Sequence, residues 1–406
     1  MPANKRVVVT GIGIISSIGI GKDEFWKNLI AGKSGISEVK RFDTSKFPTH
    51  RAGEVKDFNA GEFMPSTLNK LVGRGSQLAI AASKLALEDA RINVKKTSPD
   101  DIGVIIGTTM GESPSIEMID RFWTEKGEDD VYASNVRNFP VNNLSDNISY
   151  FFGFTGYSYV IPTACAAGNY SIGYAYDLIR EGKKDVFIAG GADPLSRLAF
   201  TGFNRLFAMA PEKCQPFDKN RKGMMLGEGG AVLVIESLDR ARKRNACIYA
   251  EVLGYGLSCD AFNMTIPSEK GIEKVMEKAI RNSGIKKEDV DYISAHGTGT
   301  DTNDKTETRA IKKVFGALAA KLPVSSIKSM LGHTMGTASA LEAISCCLAI
   351  KEGVIPPTIN YETPDADCDL DYVPNKARKR NVGIALNNSF AFGGNNACAA
   401  FGRYRD

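Results

Sequence analysis

The chain contains only three histidines among its 406 residues, and two of them follow one conspicuous cysteine in turns of small residues. Cys165 lies in the sequence PTACAAG, His296 begins HGTGT, and His333 ends KSMLGH. Glycine-rich turns bring side chains close to a ligand, and imidazole titrates near neutral pH. A cysteine that begins an apolar helix is placed to react as a thiolate. These residues predict an acyl-transfer site with a thiol nucleophile and two imidazoles that polarise a carbonyl or move a proton.

Each of these residues also has an ordinary structural interpretation. The alternative for Cys165 is a small, buried hydrophobic residue without a chemical role. A lone histidine is more often a packed or surface residue. We keep that interpretation for His50 and for the other seven of the eight cysteines. Because the cysteines form no C-x-x-C pair, they indicate neither a disulfide framework nor a zinc site. We therefore expect no metal, and a reducing cytoplasm as the compartment.

The overall charge limits the partners. The chain has 51 Lys and Arg against 47 Asp and Glu, a net charge of +4, which gives no reason to expect nucleic acid but is compatible with a local basic patch for an acidic partner. No run of about 18 uninterrupted apolar residues occurs, so we expect no membrane insertion. Residues 1–6 run directly into the strand-like residues 7–10 and leave no room for a signal peptide.

The elements that position the site repeat one plan along the chain. A helical pattern at residues 77–90 precedes an apolar strand at 102–109, and a helical pattern at 271–283 precedes a strand at 290–296. His296 thus ends a strand, and in open α/β sheets ligands collect at the carboxyl ends of strands.

A second pair of segments follows a similar plan. Residues 165–180 predict a helix followed by a strand at 185–191, and residues 337–351 predict a helix followed by a strand at 354–356. A glycine follows each helix, where a left-handed backbone is favourable.

Helices that alternate with apolar strands predict an α/β layered architecture. The repeated plan indicates two similar halves that meet near residues 246–251. We divide the chain into residues 1–250, which carry Cys165, and residues 251–406, which carry His296 and His333.

Charged residues lie near both histidines in the sequence. Asp304 and Glu307 are three apart and share one face of a predicted helix. Lys328 lies five residues before His333, and Glu342 lies on the following helix. If these charges are buried together they must pair, and such a network orients imidazoles. The alternative is a solvated cluster of surface charge.

A glycine-rich segment, SFAFGGNN, follows a predicted strand near the C-terminus. An aromatic side chain held in such a turn, here Phe392, is able to gate a cavity. A plain glycine-rich hairpin is the alternative.

Taken in chain order, the motifs are VTGIG, TACA, PFD, LGEG, HGT, DKTE, KSMLGH and FGG. Their order and joint occurrence resemble, over essentially the whole chain, the elongating β-ketoacyl-[acyl-carrier-protein] synthases of the synthase II group in the thiolase superfamily. His333 occupies the third catalytic position, where a priming synthase has asparagine and a thiolase has cysteine. The resemblance implies a thiolase-like α/β fold, with two pseudo-repeated halves in five αβαβα layers, and a homodimer.

The resemblance also implies the reaction. Cys165 would carry an acyl group delivered by acyl-carrier protein, and malonyl-carrier protein would enter next. His296 and His333 would promote loss of CO₂ and stabilise the enolate, which attacks the thioester and elongates the chain by two carbons. No cofactor is implied.

Further roles follow from the same resemblance. Lys328 resembles the family's active-site lysine, with Glu342 and Asp304 as its charge partners. Phe392 resembles a gating phenylalanine whose backbone N–H joins that of Cys165 in an oxyanion hole.

Departures from the family concern the substrate rather than the reaction class. Ala391 replaces a usual glycine before Phe392, and its Cβ restricts positive φ and is expected to stiffen the gate. Gln215 replaces a frequent arginine, and Asn395 replaces a usual threonine. Met110 matches a position that lines the acyl pocket.

The carrier protein is acidic, so the resemblance predicts a basic rim. Lys70 and Arg74 are spaced i,i+4 on one predicted helix, and Arg205 matches a docking arginine of the family. Ordinary surface charge is the alternative for these residues.

Other functions stay open at this point. The same chemistry is compatible with a ketosynthase dedicated to a specialised lipid or polyene. A chain-length-factor-like partner subunit is disfavoured because Cys165, His296 and His333 are all present. A cysteine hydrolase is weaker still, since no Asn or Asp orients a histidine in a protease-like context.

Overall fold

The computed structural model describes residues 5–127 and 136–405. The first four residues of the expected N-terminus lie outside the described residues. Within the described part of the chain, no helix has the length and apolar character that a membrane crossing requires.

Most strands belong to one large mixed sheet. The strands are β1 Val7–Ser16, β2 Gly19–Ile20, β3 Ser37–Glu38, β4 Arg51–Ala52, β5 Ile102–Gly107, β6 Ser158–Ile161, β7 Val186–Asp193, β8 Gly229–Ser237, β9 Ala250–Cys259, β10 Tyr292–Ser294, β11 Val324–Ser325, β12 Val354–Ile355, β13 Arg378–Lys379, β14 Ile384–Phe390 and β15 Asn395–Gly402. In hydrogen-bonded order the 11-stranded sheet runs β11-β10-β14-β15-β9-β1-β8-β7-β5-β6, with β2 paired to β1 beside this path. The short strands β3 and β4 pair with each other, as do β12 and β13.

The strand order is mirrored about the pairing of β1 with β9. On one side β5 runs parallel to β6 and β7, and β8 is antiparallel to β7 and β1. On the other side β10 runs parallel to β11 and β14, and β15 is antiparallel to β14 and β9. This arrangement confirms two pseudo-repeated halves. The division at residues 250 and 251 falls at the start of β9 and stays a prediction.

Helices lie on both faces of the strands. Most of the longer helices have one apolar face, as expected for helices that cover a sheet. The helices are α1 Lys22–Ile30, α2 Ser66–Leu71, α3 Arg74–Asp89, α4 Ser113–Lys126, α5 Asn143–Phe152, α6 Ala167–Arg180, α7 Arg197–Arg205, α8 Leu238–Lys243, α9 Glu269–Asn282, α10 Asp301–Phe315, α11 Lys328–Leu331 and α12 Ala338–Glu352.

Two helices form the central layer. Helix α6 packs against β5 and β7 of the first half and β9 and β15 of the second, and α12 contacts β14, β15 and β8. Helix α3 covers the outer face of the first half, and α9 with α10 covers that of the second. The result is the predicted five-layer αβαβα arrangement, which explains why all residues from Ala338 to Ile350 are buried.

The two central helices approach each other closely at Gly168. A Cβ there would lie 2.6 Å from the backbone nitrogen of Ala340, so only glycine allows this contact. The helix that follows Cys165 is thereby held against the helix that follows His333.

One predicted correspondence within the repeat is wrong. The strand expected at 354–356 exists as β12, but it pairs with β13 and is not the counterpart of β7. After α12 the chain turns at Gly353, which has a left-handed backbone, and leaves the sheet. The strand β14 returns later and occupies the position equivalent to β7.

Candidate active site

Cys165 lies in a tight turn between β6 and α6. The predicted helix begins at Ala167, two residues later than expected, and Cys165 is the middle residue of the 3₁₀ turn Ala164–Ala166. Ala164 has a positive φ of 48°, which is uncommon for a residue with a Cβ and is typical of functional turns. This turn holds the thiol 6% exposed, at the wall of a cavity.

The cavity has a volume of about 440 Å³ and brings the three predicted catalytic side chains together. Cys165 comes from the first half of the chain, whereas His296 and His333 come from the second. Phe390 and Phe392 line the same cavity. No group of three or more potential metal ligands occurs among residues 5–127 and 136–405.

Burial controls the protonation of the thiol. It raises the pKa of Cys165 to about 11, opposed by the charge of Lys328 and by backbone N–H groups of Phe392 and of Cys165 itself. The expectation of a preformed thiolate at a helix start is therefore opposed by desolvation. At neutral pH a group with this pKa is a thiol, so a nucleophilic role for Cys165 would require it to transfer its proton.

The loop after β10 positions His296. The backbone N–H groups of His296 and Gly297 donate to the carboxylate of Glu307, at 2.9 and 2.8 Å. Asn388 donates to the same carboxylate at 3.3 Å. Burial raises the pKa of Glu307 to about 7. Glu307 therefore orients the backbone of the histidine rather than its imidazole.

The tautomer of His333 is set by its own turn. The backbone N–H of Met335 donates to Nδ1 of His333 at 3.1 Å, so in the neutral ring Nε2 carries the proton. Burial, followed by the charge of Lys328, lowers the pKa of His333 well below its ordinary value. His333 is thus a neutral hydrogen-bond donor.

Lys328 is buried and connects the two histidine loops. Its Nζ lies 2.6 Å from the carbonyl oxygen of His296 and forms an ion pair with Glu342. Burial raises the pKa of Glu342 to about 7, although the lysine lowers it. Burial, followed by the charge of Lys328, lowers the pKa of both imidazoles well below the ordinary value.

Asp304 does not contact Lys328, which corrects the expected pairing. Its carboxylate accepts hydrogen bonds from the backbone N–H groups of Phe217 and Gly299, at 2.7 and 3.2 Å. The cation nearest to it is Arg221, with Nε at 3.9 Å. Asp304 therefore organises the loops around the cavity, and Glu342 is the acidic partner of the lysine.

The segment around Phe392 forms one wall of the cavity. Its ring packs 5.7 Å from that of Phe203 and is 38% exposed. The N–H of Gly393 donates to the carbonyl oxygen of Met264 at 2.9 Å. Ala391 has a φ of −109°, so its Cβ causes no strain in this conformation. The expected stiffening concerns conformations with positive φ and stays a prediction.

Met110 lies behind the cavity rather than at its surface. It packs in an apolar cluster with Phe200 and Met335, and Phe203 belongs to both this cluster and the cavity wall. An acyl chain that enters from the cavity would meet this cluster next.

The three predicted docking residues differ in position. Arg205 is exposed at the end of α7, beside Leu206 and Phe207, which line the cavity mouth. Lys70 is exposed on α2. Arg74 is not a surface charge, because its side chain is 10% exposed and pairs with buried Glu228 at 2.9 Å.

The assumed helix across Lys70 and Arg74 is also wrong. Helix α2 ends at Leu71, and Val72 is extended with φ −100° and ψ 147°. A new helix begins at Arg74. The i,i+4 spacing therefore places the two side chains on different elements.

The sequence did not identify several residues around the cavity. Ser389 donates to the carbonyl oxygen of Cys165 at 2.8 Å, and Arg221 pairs with Asp301 and Asp365 at 2.9 and 2.6 Å. Their only sequence signal was proximity to the motifs SFAFGG and PFD. Asp193, a buried carboxylate at the end of β7, gave no local signal.

A mirrored five-layer fold with a buried cysteine and two neutral histidines at one cavity defines a condensing enzyme of the thiolase-like class. The chain belongs to the β-ketoacyl synthase family. Residues 4–241 match its N-terminal domain and residues 249–362 its C-terminal domain.

Individual relatives are similar over the full length. The chain is 41% identical to 3-oxoacyl-[acyl-carrier-protein] synthase 2 of Coxiella burnetii and 40% identical to that of Synechocystis sp., over 99% of each chain. Among solved structures, the ishigamide ketosynthase/chain length factor has 45% identity and a TM-score of 0.97, over 99% of this chain and 100% of that one. A β-ketoacyl synthase from Burkholderia phymatum has 33% identity and a TM-score of 0.91, with the same coverage.

Proposed function

We propose that the protein is a β-ketoacyl-[acyl-carrier-protein] synthase, a C–C bond-forming acyltransferase that elongates an acyl chain by two carbons in fatty-acid synthesis. One observation carries this proposal: Cys165, His296 and His333 line one cavity, and the backbone N–H of Phe392 is near enough to the thiol to lower its pKa. Full-length similarity to 3-oxoacyl-[acyl-carrier-protein] synthases supports it.

In the first half-reaction, the Cys165 thiol attacks the carbonyl carbon of an acyl thioester. A new C–S bond forms to Cys165, the carrier's sulfur leaves, and the thiol proton passes to that sulfur through a neutral imidazole. We assign stabilisation of the tetrahedral oxyanion to the N–H groups of Phe392 and Cys165, which both lower the pKa of the thiol.

In the second half-reaction, a malonyl thioester occupies the emptied cavity. Hydrogen bonds from His333 Nε2–H and from His296 to its carbonyl oxygen stabilise the enolate as the C–C bond to the carboxylate breaks and CO₂ leaves. The enolate carbon attacks the acyl carbonyl, a C–C bond forms, and the Cys165 sulfur leaves and takes up a proton from solvent. Burial and the charge of Lys328 lower the pKa of both imidazoles. The hydrogen bonds to the enolate therefore come from neutral rings.

We propose acyl-carrier protein, in acyl and malonyl forms, as the partner that delivers both substrates. Arg205 and Lys222 lie at or beside the cavity mouth, next to exposed Phe207. Basic side chains at an entrance favour an acidic carrier through electrostatic steering. A solved relative that is 32% identical, AntDE:AntF, is a ketosynthase in complex with its acyl-carrier protein.

We further propose a cytoplasmic homodimer that pairs through β6. This strand ends the sheet, so within the described part of the chain one of its edges lacks a partner strand. Tyr159 on β6 is 42% exposed, and Tyr150 and Tyr174 nearby are 78% and 40% exposed, which favours a covering surface. All eight cysteines are free thiols, as expected in a reducing compartment.

A second candidate is a ketosynthase that works with a chain-length-factor subunit on a specialised lipid or polyene. The 45% identity to the ishigamide ketosynthase/chain length factor favours it. In that case β6 would pair with a different subunit.

The proposal is tested with purified protein, malonyl-carrier protein and acyl-carrier proteins of varied length and unsaturation. We expect a β-ketoacyl product two carbons longer and one CO₂ per condensation, detected by mass spectrometry, from a homodimer in light scattering. Absence of condensation with every acyl chain would contradict the proposed reaction. Activity that requires a co-expressed second subunit would favour the second candidate.

A further inference from the structure

The carboxylate of Asp193 connects two loops of the site that come from different halves of the chain. Asp193 ends β7, is 0% exposed and lies in no ion pair that the described residues form. On one side, Oδ1 accepts hydrogen bonds from Thr108 Oγ1 at 2.8 Å and from the N–H groups of Thr109 and Met110 at 3.0 and 2.7 Å. These donors form the turn that carries Met110 toward the apolar cluster behind the cavity.

On the other side, the same carboxylate holds the turn that follows His333. Its Oδ2 accepts the N–H of Thr337 at 3.2 Å. Gly336 packs directly on it, since a Cβ at Gly336 would lie 2.8 Å from Oδ2. The preceding residue, Met335, has a positive φ of 55°, a conformation that persists only where its surroundings enforce it.

That enforced turn sets the hydrogen-bonding state of His333. The N–H that donates to His333 Nδ1 belongs to Met335. In the chain, Met335 lies between His333 and residues 336–337, which contact Asp193. These contacts on both sides hold the conformation of Met335. We propose that Asp193 is a positioning residue, which holds Met335 so that His333 presents a protonated Nε2 to the substrate, and which ties this state to the turn of Met110. This inference rests on the proposed decarboxylating condensation.

A carboxylate is the group that this position requires. It faces N–H and O–H donors from both loops, so both of its oxygens must accept. An asparagine has one acceptor oxygen and one NH₂ group, which would oppose an N–H of one loop. Burial raises the pKa of Asp193 to about 6, so at pH 7.5 the carboxylate is ionised and accepts on both sides.

The test compares Asp193→Asn with the wild type, with Asp185→Asn as the matched control, because Asp185 precedes the same strand and its side chain is 50% exposed. We expect Asp193→Asn to lower kcat for malonyl decarboxylation and condensation roughly ten- to a hundredfold, as a displaced catalytic group does. The charge of Asp193 raises the pKa of Cys165, so its removal should not slow self-acylation. The KM for acyl-carrier protein should change little. Thr108→Val removes one hydrogen-bond donor to Asp193 and keeps the shape of the side chain. Its kcat should lie between those of the wild type and Asp193→Asn.

A readout independent of rate is the ¹⁵N spectrum of labelled histidine. The chain has three imidazoles, and His50→Gln and His333→Asn assign them. We expect the Nε2–H tautomer of His333 in the wild type and in Asp185→Asn, and a shifted or mixed tautomer in Asp193→Asn. If Asp193→Asn is too unstable to purify, Thr108→Val provides the same two measurements.

The inference would be overturned if Asp193→Asn showed the wild-type His333 signals and an unchanged rate of decarboxylation. The same result in Thr108→Val would overturn it where that variant replaces Asp193→Asn. An equal loss of self-acylation and decarboxylation, with unchanged His333 signals, would also overturn it and indicate a general structural role. A wild-type protein that releases no CO₂ would instead contradict the proposed function, and the spectrum would still test the positioning role of Asp193.

Discussion

The imidazole rings of His296 and His333 lie edge to face, with centroids 5.4 Å apart and planes at 82°. Burial and the charge of Lys328 lower the pKa of both rings, and His333 further lowers that of His296. Two neutral rings at this distance are able to hydrogen-bond one developing oxyanion without the repulsion that two imidazolium ions would suffer.

Replacement of His333 separates the two half-reactions. We expect His333→Ala to retain self-acylation of Cys165 and to lose malonyl decarboxylation by about a hundredfold or more, as removal of an oxyanion donor does. Intact-mass analysis reports acylation, and labelled CO₂ reports decarboxylation. His50→Ala is the control, since His50 is exposed. Unchanged CO₂ release from His333→Ala would reject the role.

Replacement of Cys165 tests the nucleophile directly. Cys165→Ala should accept no acyl group from acyl-carrier protein, because no other thiol lines the cavity among the described residues. Cys259→Ala, which removes an exposed thiol, should acylate like the wild type. Stoichiometric acylation of Cys165→Ala, measured by intact mass, would contradict the assignment.

The raised pKa of the thiol predicts how its reactivity depends on pH. Because burial raises the pKa of Cys165 to about 11, the thiolate fraction grows about tenfold per pH unit below that value. The rate of iodoacetamide alkylation at Cys165 should therefore still rise between pH 7 and pH 9 (roughly a hundredfold). Peptide mass spectrometry separates this site from the exposed thiols. A plateau below pH 8 would indicate a thiolate stabilised by the helix start.

The sequence predicted which residues meet at the cavity better than it predicted their surroundings. The scarcity of histidine and the small-residue turns identified Cys165, His296 and His333 without tertiary information. Their convergence depends on α6 and α12 packing in one layer, which the repeated plan suggested. The resemblance gave both Glu342 and Asp304 as charge partners of Lys328, and only Glu342 pairs with it. That difference depends on how α10 and α12 are placed in three dimensions.

Arg74 and Asp193 show why local patterns fail. The i,i+4 rule assumes a continuous helix, and one extended residue, Val72, sends Arg74 inward to Glu228. Asp193 is one carboxylate at a strand end, and its donors come from residues 108–110 and 337, far away in the sequence. Only the assembled fold shows that they meet.

The buried pair of Lys328 and Glu342 predicts an asymmetric effect on stability. Both side chains are at most 2% exposed, so Lys328→Met leaves a buried carboxylate without its partner and should lower the free energy of unfolding by about 3–5 kcal/mol. The deficit should grow as the pH rises above about 7, the pKa of Glu342 in the wild type, because wild-type Glu342 then ionises beside Lys328 while the unpaired carboxyl of the variant keeps its proton. The midpoint of urea unfolding measures the change.

Two comparisons make this prediction specific. Lys328→Met combined with Glu342→Leu should recover most of the stability, because no unpaired charge is left buried. Lys312→Ala breaks an exposed pair with Asp369, whose side chains are 48% and 47% exposed, and should change stability by about 1 kcal/mol or less. A single Lys328→Met variant as stable as the wild type would argue against a buried ion pair.

Charge reversal at Arg205 tests the docking of the carrier protein separately from the chemistry. Arg205 is exposed at the end of α7, beside Leu206 and Phe207 at the cavity mouth. Arg205→Glu should raise the KM for carrier-bound substrates several-fold and weaken the effect of salt on it, since electrostatic steering is lost. Activity with a small acyl-pantetheine thioester should not change, because that substrate presents no acidic protein surface.

Lys379→Glu is the matched control, as Lys379 is exposed on β13 and borders a different cleft. Equal effects of the two reversals would mean that net charge, rather than a docking contact at Arg205, governs the encounter.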